Sequence, residues 1–174
     1  MNKIILLGYM GSGKSAVGFS LKQQLGFDYI DLDHYMKAKM KINISDIFNS
    51  KGEIYFRKKE RQYLEEVLKE NVTLILSLGG GTPCYYDSMA YINAIPDVKT
   101  IYLNTSVKEL SKRLFNDEAD RPLIKHLKSE EAIKEFVGKH LFERSVFYNE
   151  AHLSILTDGK SIVQVVDEIK KRLA

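Results

Sequence analysis

Short apolar runs alternate with longer amphipathic stretches along the whole chain. The runs at Lys3–Leu7, Tyr29–Leu32, Val72–Ser77, Lys99–Leu103 and Leu153–Leu156 have the length and apolar content expected of buried strands. Between them, helical patterns are expected over Lys14–Leu25, His34–Met40, Ile44 to about Glu70, Ser88–Ile95, Ser106–Phe115 and Ser129–Tyr148. A last helix from Ser161 sets Ile162, Val165, Val166, Ile169 and Leu173 on one stripe. Apolar strands alternating with helices predict an α/β fold with a parallel sheet covered on both faces. Ligands of such sheets collect at the carboxyl ends of the strands. Chemically loaded residues follow the strand candidates: Gly8 the first, Asp31 and Asp33 the second, Gly79–Gly81 the third.

The segment Gly8-Tyr9-Met10-Gly11-Ser12-Gly13-Lys14-Ser15 is a complete phosphate-binding loop, G-x-x-x-x-G-K-[ST]. Its glycines let successive N–H groups turn toward phosphate oxygens, and the helix that follows adds its unpaired amides and dipole. Lys14 can reach the β- and γ-phosphates of a nucleotide, and Ser15 can offer its hydroxyl to Mg²⁺. The loop stands between a buried strand and an amphipathic helix, the context it needs. A GTPase would carry an Asn-Lys-x-Asp segment, and none occurs. A motor ATPase would usually end a later strand in paired acids, whereas here the acids follow the second strand. A small-molecule or nucleotide kinase is the reading left.

Composition narrows the picture further. With 174 residues the chain fits one domain, and 28% charged residues give a net charge of only +3, too little to argue for nucleic acid. One cysteine, Cys84, allows neither an intrachain disulfide nor a Cys-based zinc site and suits a reducing compartment. The first apolar run is too short for a signal peptide or a membrane span, so a cytoplasmic protein without membrane attachment is expected. Cys84 and the four histidines (His34, His126, His140, His152) show no nucleophile or metal-ligand pattern.

Asp31 and Asp33 would share a face in a straight strand, but a helix starting at the strand end can splay them. One carboxylate can then hold Mg²⁺ through water and the other can accept a hydrogen bond from an attacking hydroxyl; the bland alternative is a helix cap. Arg57 lies near Glu53 and Glu60 at helical spacing, which on periodicity alone reads as a solvated ion pair. The polar stretch Asn116–Pro122 is turn-forming and suits a mobile lid.

Taken in order, the phosphate loop, Asp31-Leu32-Asp33, Gly52-Glu53-Ile54-Tyr55-Phe56-Arg57, Gly79-Gly80-Gly81, Arg121-Pro122-Leu123, and Arg144 with Tyr148 resemble the motif set of the shikimate kinases over nearly the whole chain. The resemblance implies a fold like that of nucleoside monophosphate kinases, with a five-stranded parallel sheet in the order 2-3-1-4-5. It implies one domain spanning 1–174, with a substrate-binding helical region at about 32–61 and a lid at about 113–125. The implied reaction is ATP-dependent phosphorylation of shikimate at its 3-hydroxyl, in aromatic amino-acid (chorismate) biosynthesis. The implied machinery is Asp33, Lys14 and Arg121 in catalysis; Gly11, Ser12, Gly13, Lys14, Ser15, Ala16, Arg113 and Arg121 around ATP; Asp33, Arg57, Gly80 and Arg144 around shikimate; and Ser15 and Asp31 at Mg²⁺. Arg113 is expected to stack on adenine, and Lys160 stands where some relatives place an arginine beside the nucleotide. Paired guanidiniums from separate helices suit the one carboxylate of shikimate, because each offers a planar fork. The resemblance also inclines toward a monomer. The alternatives are another kinase of the same fold (gluconate-type or nucleotide-type) and a non-catalytic nucleotide switch.

Overall fold

The computed structural model describes residues 2–117 and 123–173. Five strands, β1 (Lys3–Leu7), β2 (Asp28–Asp31), β3 (Leu74–Ser77), β4 (Val98–Asn104) and β5 (Leu153–Leu156), form one parallel sheet in the order β2-β3-β1-β4-β5. β1 pairs with both β3 and β4, and its Ile4, Ile5, Leu6 and Leu7 are fully buried. A strand apolar on both faces is stable only in the middle of a covered sheet, which is where this sequence lies. The edge strands β2 and β5 are less buried.

Alternation along β1 divides the core. Ile5 and Leu7 face a layer that includes Leu32 and Met36 of α2 (Leu32–Met40), Leu64 of α3 (Ile44–Glu70) and Ile92 of α4 (Ser88–Asn93). Ile4 and Leu6 face Val17 and Leu21 of α1 (Lys14–Leu25) and Val165 and Ile169 of α7 (Ile162–Leu173). A third cluster joins Tyr9 to Leu110 and Leu114 of α5 (Val107–Phe115) and to Ile133 and Val137 of α6 (Glu130–Tyr148). Ser106 and Ser129 cap α5 and α6 by accepting from the N–H of Glu109 and Ala132 at 3.1 and 3.2 Å, contacts worth about 1 kcal/mol each.

Several expected boundaries move. β3 begins at Leu74 rather than Val72, whose side chain is exposed. Ile162 lies at the rim, while Val165, Val166 and Ile169 carry the buried stripe of α7. The expected continuous helix over 44–70 is broken at Gly52 (φ 77°, ψ 172°), a backbone conformation that side chains disfavour. A 3₁₀ turn at Thr82–Cys84, opened by Pro83, was not legible as an element.

Candidate active site

The phosphate loop joins β1 to α1 at the carboxyl edge of the sheet. Gly13, the residue before α1, takes a left-handed conformation (φ 93°) that turns the chain into the helix. At Gly8 a Cβ would meet Leu103 O and Ser12 Oγ at 2.9 Å, so only glycine lets the loop lie against β4. Lys14 Nζ donates to the carbonyls of Gly8 (2.9 Å) and Tyr9 (3.0 Å), which holds its ammonium over the loop. The adjoining cavity, about 440 Å³, is lined by Gly11, Lys14, Ser15, Ala16, Asp31 and Asp33 among others. The buried Ser12 lies within the loop itself.

The two aspartates are splayed because the helix begins between them. Asp31 ends β2, and its Oδ1 accepts from His34 N at 3.1 Å, so the capping alternative holds for this residue. Its carboxylate also lines the phosphate cavity. Asp33, in the first turn of α2, points toward the glycine run after β3. Withdrawal from water, with the charges of Asp31 and Glu60 adding to it, pushes the Asp33 carboxyl up to about 6, even with Lys14 and Arg57 opposing.

The glycine run explains how three charged side chains meet. A Cβ on Gly79 would stand 2.9 Å from Asp33 Oδ1; on Gly80, 3.4 Å from Arg144 Nη1; on Gly81, 2.6 Å from Arg57 Nη2. Each missing side chain leaves room for one functional group. Tyr148 fixes the run by donating its hydroxyl to Gly80 O at 2.6 Å.

Arg57 is neither solvated nor loose. Its Nη1 donates to Glu60 Oε2 at 2.8 Å, and its guanidinium lies 3.9 Å from the Tyr85 ring centre. Glu60 is only 3% exposed and also accepts from Thr82 Oγ1 at 2.7 Å, so the arginine is braced by a carboxylate that is itself held. Tyr85 in turn donates to Glu53 at 2.6 Å. Arg144, on α6, faces the same cavity as Arg57 and Asp33, a cleft of about 1350 Å³. Two guanidiniums and a basic carboxylate facing one cleft beside a phosphate loop can grip an organic acid and direct its hydroxyl at a phosphoryl group.

The remaining expected residues fall as follows. Arg113 Nε donates to Glu109 at 2.8 Å and its Nη1 to Gly11 O at 3.3 Å, which puts it on the phosphate-loop side of the site. Lys160 is paired with Glu168 at 2.6 Å. Arg121 lies outside the described residues. Burial pushes the Cys84 thiol up to about 11, which disfavours the thiolate. Sequence reasoning missed the bracing roles of Glu60, Thr82 and Tyr85, and it named Tyr148 beside Arg144 without a role. Glu60, three residues after Arg57, read as surface pairing.

A family model of shikimate kinase matches residues 10–174. The chain belongs to the shikimate kinase family. It is 40% identical over 173 residues to a shikimate kinase of Flavobacterium psychrophilum, covering 99% of both chains. To one of Flavobacterium johnsoniae it is 40% identical over the full length of both. Among solved structures, the shikimate kinase of Bacteroides thetaiotaomicron superposes with a TM-score of 0.90 at 31% identity, over 99% of this chain and 98% of that one. The Acinetobacter baumannii shikimate kinase, solved in complex with shikimate, gives 0.84 at 28% identity, over 99% and 93%. A gluconokinase from Sinorhizobium meliloti, at 16% identity and a TM-score of 0.63 over 99% and 93%, shares the fold alone. The family's fold expectation, a five-stranded parallel sheet in the order 2-3-1-4-5, is the one observed.

Proposed function

We propose that this chain transfers the γ-phosphoryl group of ATP to the 3-hydroxyl of shikimate, giving ADP and shikimate 3-phosphate. The observation that carries this reading is the convergence of Asp33, Arg144 and Arg57 on Gly79, Gly80 and Gly81, beside the phosphate loop. In this reading Gly11 to Ala16 cradle the triphosphate, and Arg57 and Arg144 clamp the carboxylate of shikimate beside Gly80. Asp33, ionised at neutral pH but more basic than an ordinary carboxylate, orients the 3-hydroxyl and accepts its proton as the new P–O bond forms and the bond to ADP breaks. Lys14 offsets charge on the migrating group, so catalysis rests on positioning and preorganised electrostatics. On the resemblance alone, Arg121 supplies a further cation from a lid at about 113–125, and the acceptor region is 32–61 of a single domain.

The donors present fit Mg²⁺. The Ser15 hydroxyl and the Asp31 carboxylate line one cavity, and both are hard oxygen ligands. Among the described residues no cluster of three His, Cys, Asp or Glu side chains is placed to hold a metal. Bound there, Mg²⁺ would neutralise phosphate charge. Among the described residues no helix is long and apolar enough to cross a membrane. A cytoplasmic monomer acting on a small molecule, without nucleic-acid or membrane partners, completes the proposal.

An ADP-release assay with an acceptor panel tests it. Shikimate should exceed gluconate and nucleoside monophosphates in kcat/KM by on the order of a hundredfold or more, because an acceptor whose anionic group fills the paired arginines without bringing a hydroxyl to Asp33 is misplaced for transfer. Faster turnover of any other panel member would overturn the reading.

A further inference from the structure

Tyr9 is the second residue of the phosphate loop, yet its side chain leaves the loop and is only 1% exposed. Its ring packs with Leu110, Leu114, Ile133 and Val137, between α5 and α6. Its hydroxyl lies 3.1 Å from His140 Nδ1. One turn along α6, the Arg144 guanidinium lies 5.5 Å from the centre of the same tyrosine ring. Phe136, one turn the other way, packs on the His140 ring at 4.2 Å between centres and fixes its tilt. Tyr9 O also accepts from Lys14 Nζ at 3.0 Å. One residue therefore touches the nucleotide lysine through its backbone and the acceptor arginine through its ring.

We propose that the Tyr9–His140 pair is a positioning device that sets the phosphate loop and the Arg144 guanidinium in register, and so fixes where the acceptor's carboxylate is held. This rests on the reading of Arg144 as a carboxylate ligand. A part-buried hydrogen bond with defined partners has one geometry, whereas an apolar contact of the same size tolerates sliding. Burial pushes the Tyr9 phenol up to about 12, so it remains a donor. Burial and the neighbouring Arg144 hold the His140 imidazole below its ordinary value, so it is neutral near pH 7 and Nδ1 can accept. The aromatic face under Arg144 attracts the cation and keeps it aimed into the cleft rather than along the helix surface.

Steady-state kinetics on four variants test the device. Tyr9→Phe removes only the hydroxyl, His140→Ala removes the acceptor, and His140→Asn keeps an acceptor near the position of Nδ1. Tyr9→Phe and His140→Ala should each raise KM for shikimate about three- to tenfold while moving kcat and KM for ATP less than about twofold. The double variant Tyr9→Phe/His140→Ala should be no worse than the poorer single one, and His140→Asn should recover most of the loss. Calorimetric titration of shikimate into each variant, alongside a melting curve, separates weaker binding from poor folding. If Tyr9→Phe binds shikimate as the parent does, or if KM for ATP shifts as much as KM for shikimate, the proposal fails. Arg144→Ala, run in parallel, distinguishes the two levels: an unchanged shikimate KM there rejects the carboxylate-ligand reading itself.

Discussion

At the scale of single residues the proposed base is Asp33. Its carboxyl is raised to about 6 by withdrawal from water and by Asp31 and Glu60. A carboxyl raised on folding is ionised at neutral pH at the expense of the fold, so its burden is relieved as pH falls through about 6 toward the unfolded value. Asp33→Asn should therefore raise the melting temperature at pH 7 by a few degrees while lowering kcat by roughly 10²–10⁴. Thermal melts and single-turnover assays read the two effects. A general base acts in its ionised form, so under the proposed role kcat/KM for shikimate should fall below an apparent pKa of about 6. A profile flat down to pH 5 would remove Asp33 as the base. Arg57→Lys keeps the charge but loses the planar fork braced by Glu60; KM for shikimate should rise at least about tenfold with KM for ATP nearly constant. That Asp33, Arg57 and Arg144 belong together was expected from their motif positions, and the structure brings them to one glycine run. The bracing of Arg57 was not, because Glu53 and Glu60 stand at a spacing shared by every solvated helix pair, and burial of Glu60 depends on Thr82 from a distant turn.

Among the elements, α3 shows where periodicity stops informing. Apolar positions run on through Gly52, so the pattern reads as one helix, yet the backbone there has φ 77° and ψ 172°. The glycine inside a helical pattern was the available signal. The break sets the direction of the second segment, whose first turns carry Glu53 and Arg57. Gly52→Ala should cost about 1–3 kcal/mol through backbone strain and raise KM for shikimate, while nucleotide affinity, governed by a different element, holds. Denaturant melts and nucleotide titration check both halves. Where a cap or an αL glycine marks an end, the reading was close: α1 runs from Lys14 to Leu25 as expected, closed by Gly26 at φ 70°. Thr82–Cys84 escaped notice because a single 3₁₀ turn is too short for any period.

For the whole molecule, alternating strands and helices were enough to indicate a covered parallel sheet, but not the order of its strands. That order followed from the family resemblance. Its physical reason is visible in β1, the strand most apolar on both faces, which occupies the centre with β3 and β4 on either side. This order brings the loop after β1, the aspartates at the end of β2 and the glycine run after β3 to one edge, where they line one cavity. A crystal structure of this protein with shikimate tests that convergence most directly. The account predicts the carboxylate forked by Arg57 and Arg144, with one ring hydroxyl at about 2.6–3.2 Å from an Asp33 oxygen and facing the phosphate loop. A carboxylate held anywhere else, or a ring with no hydroxyl near Asp33, would contradict it.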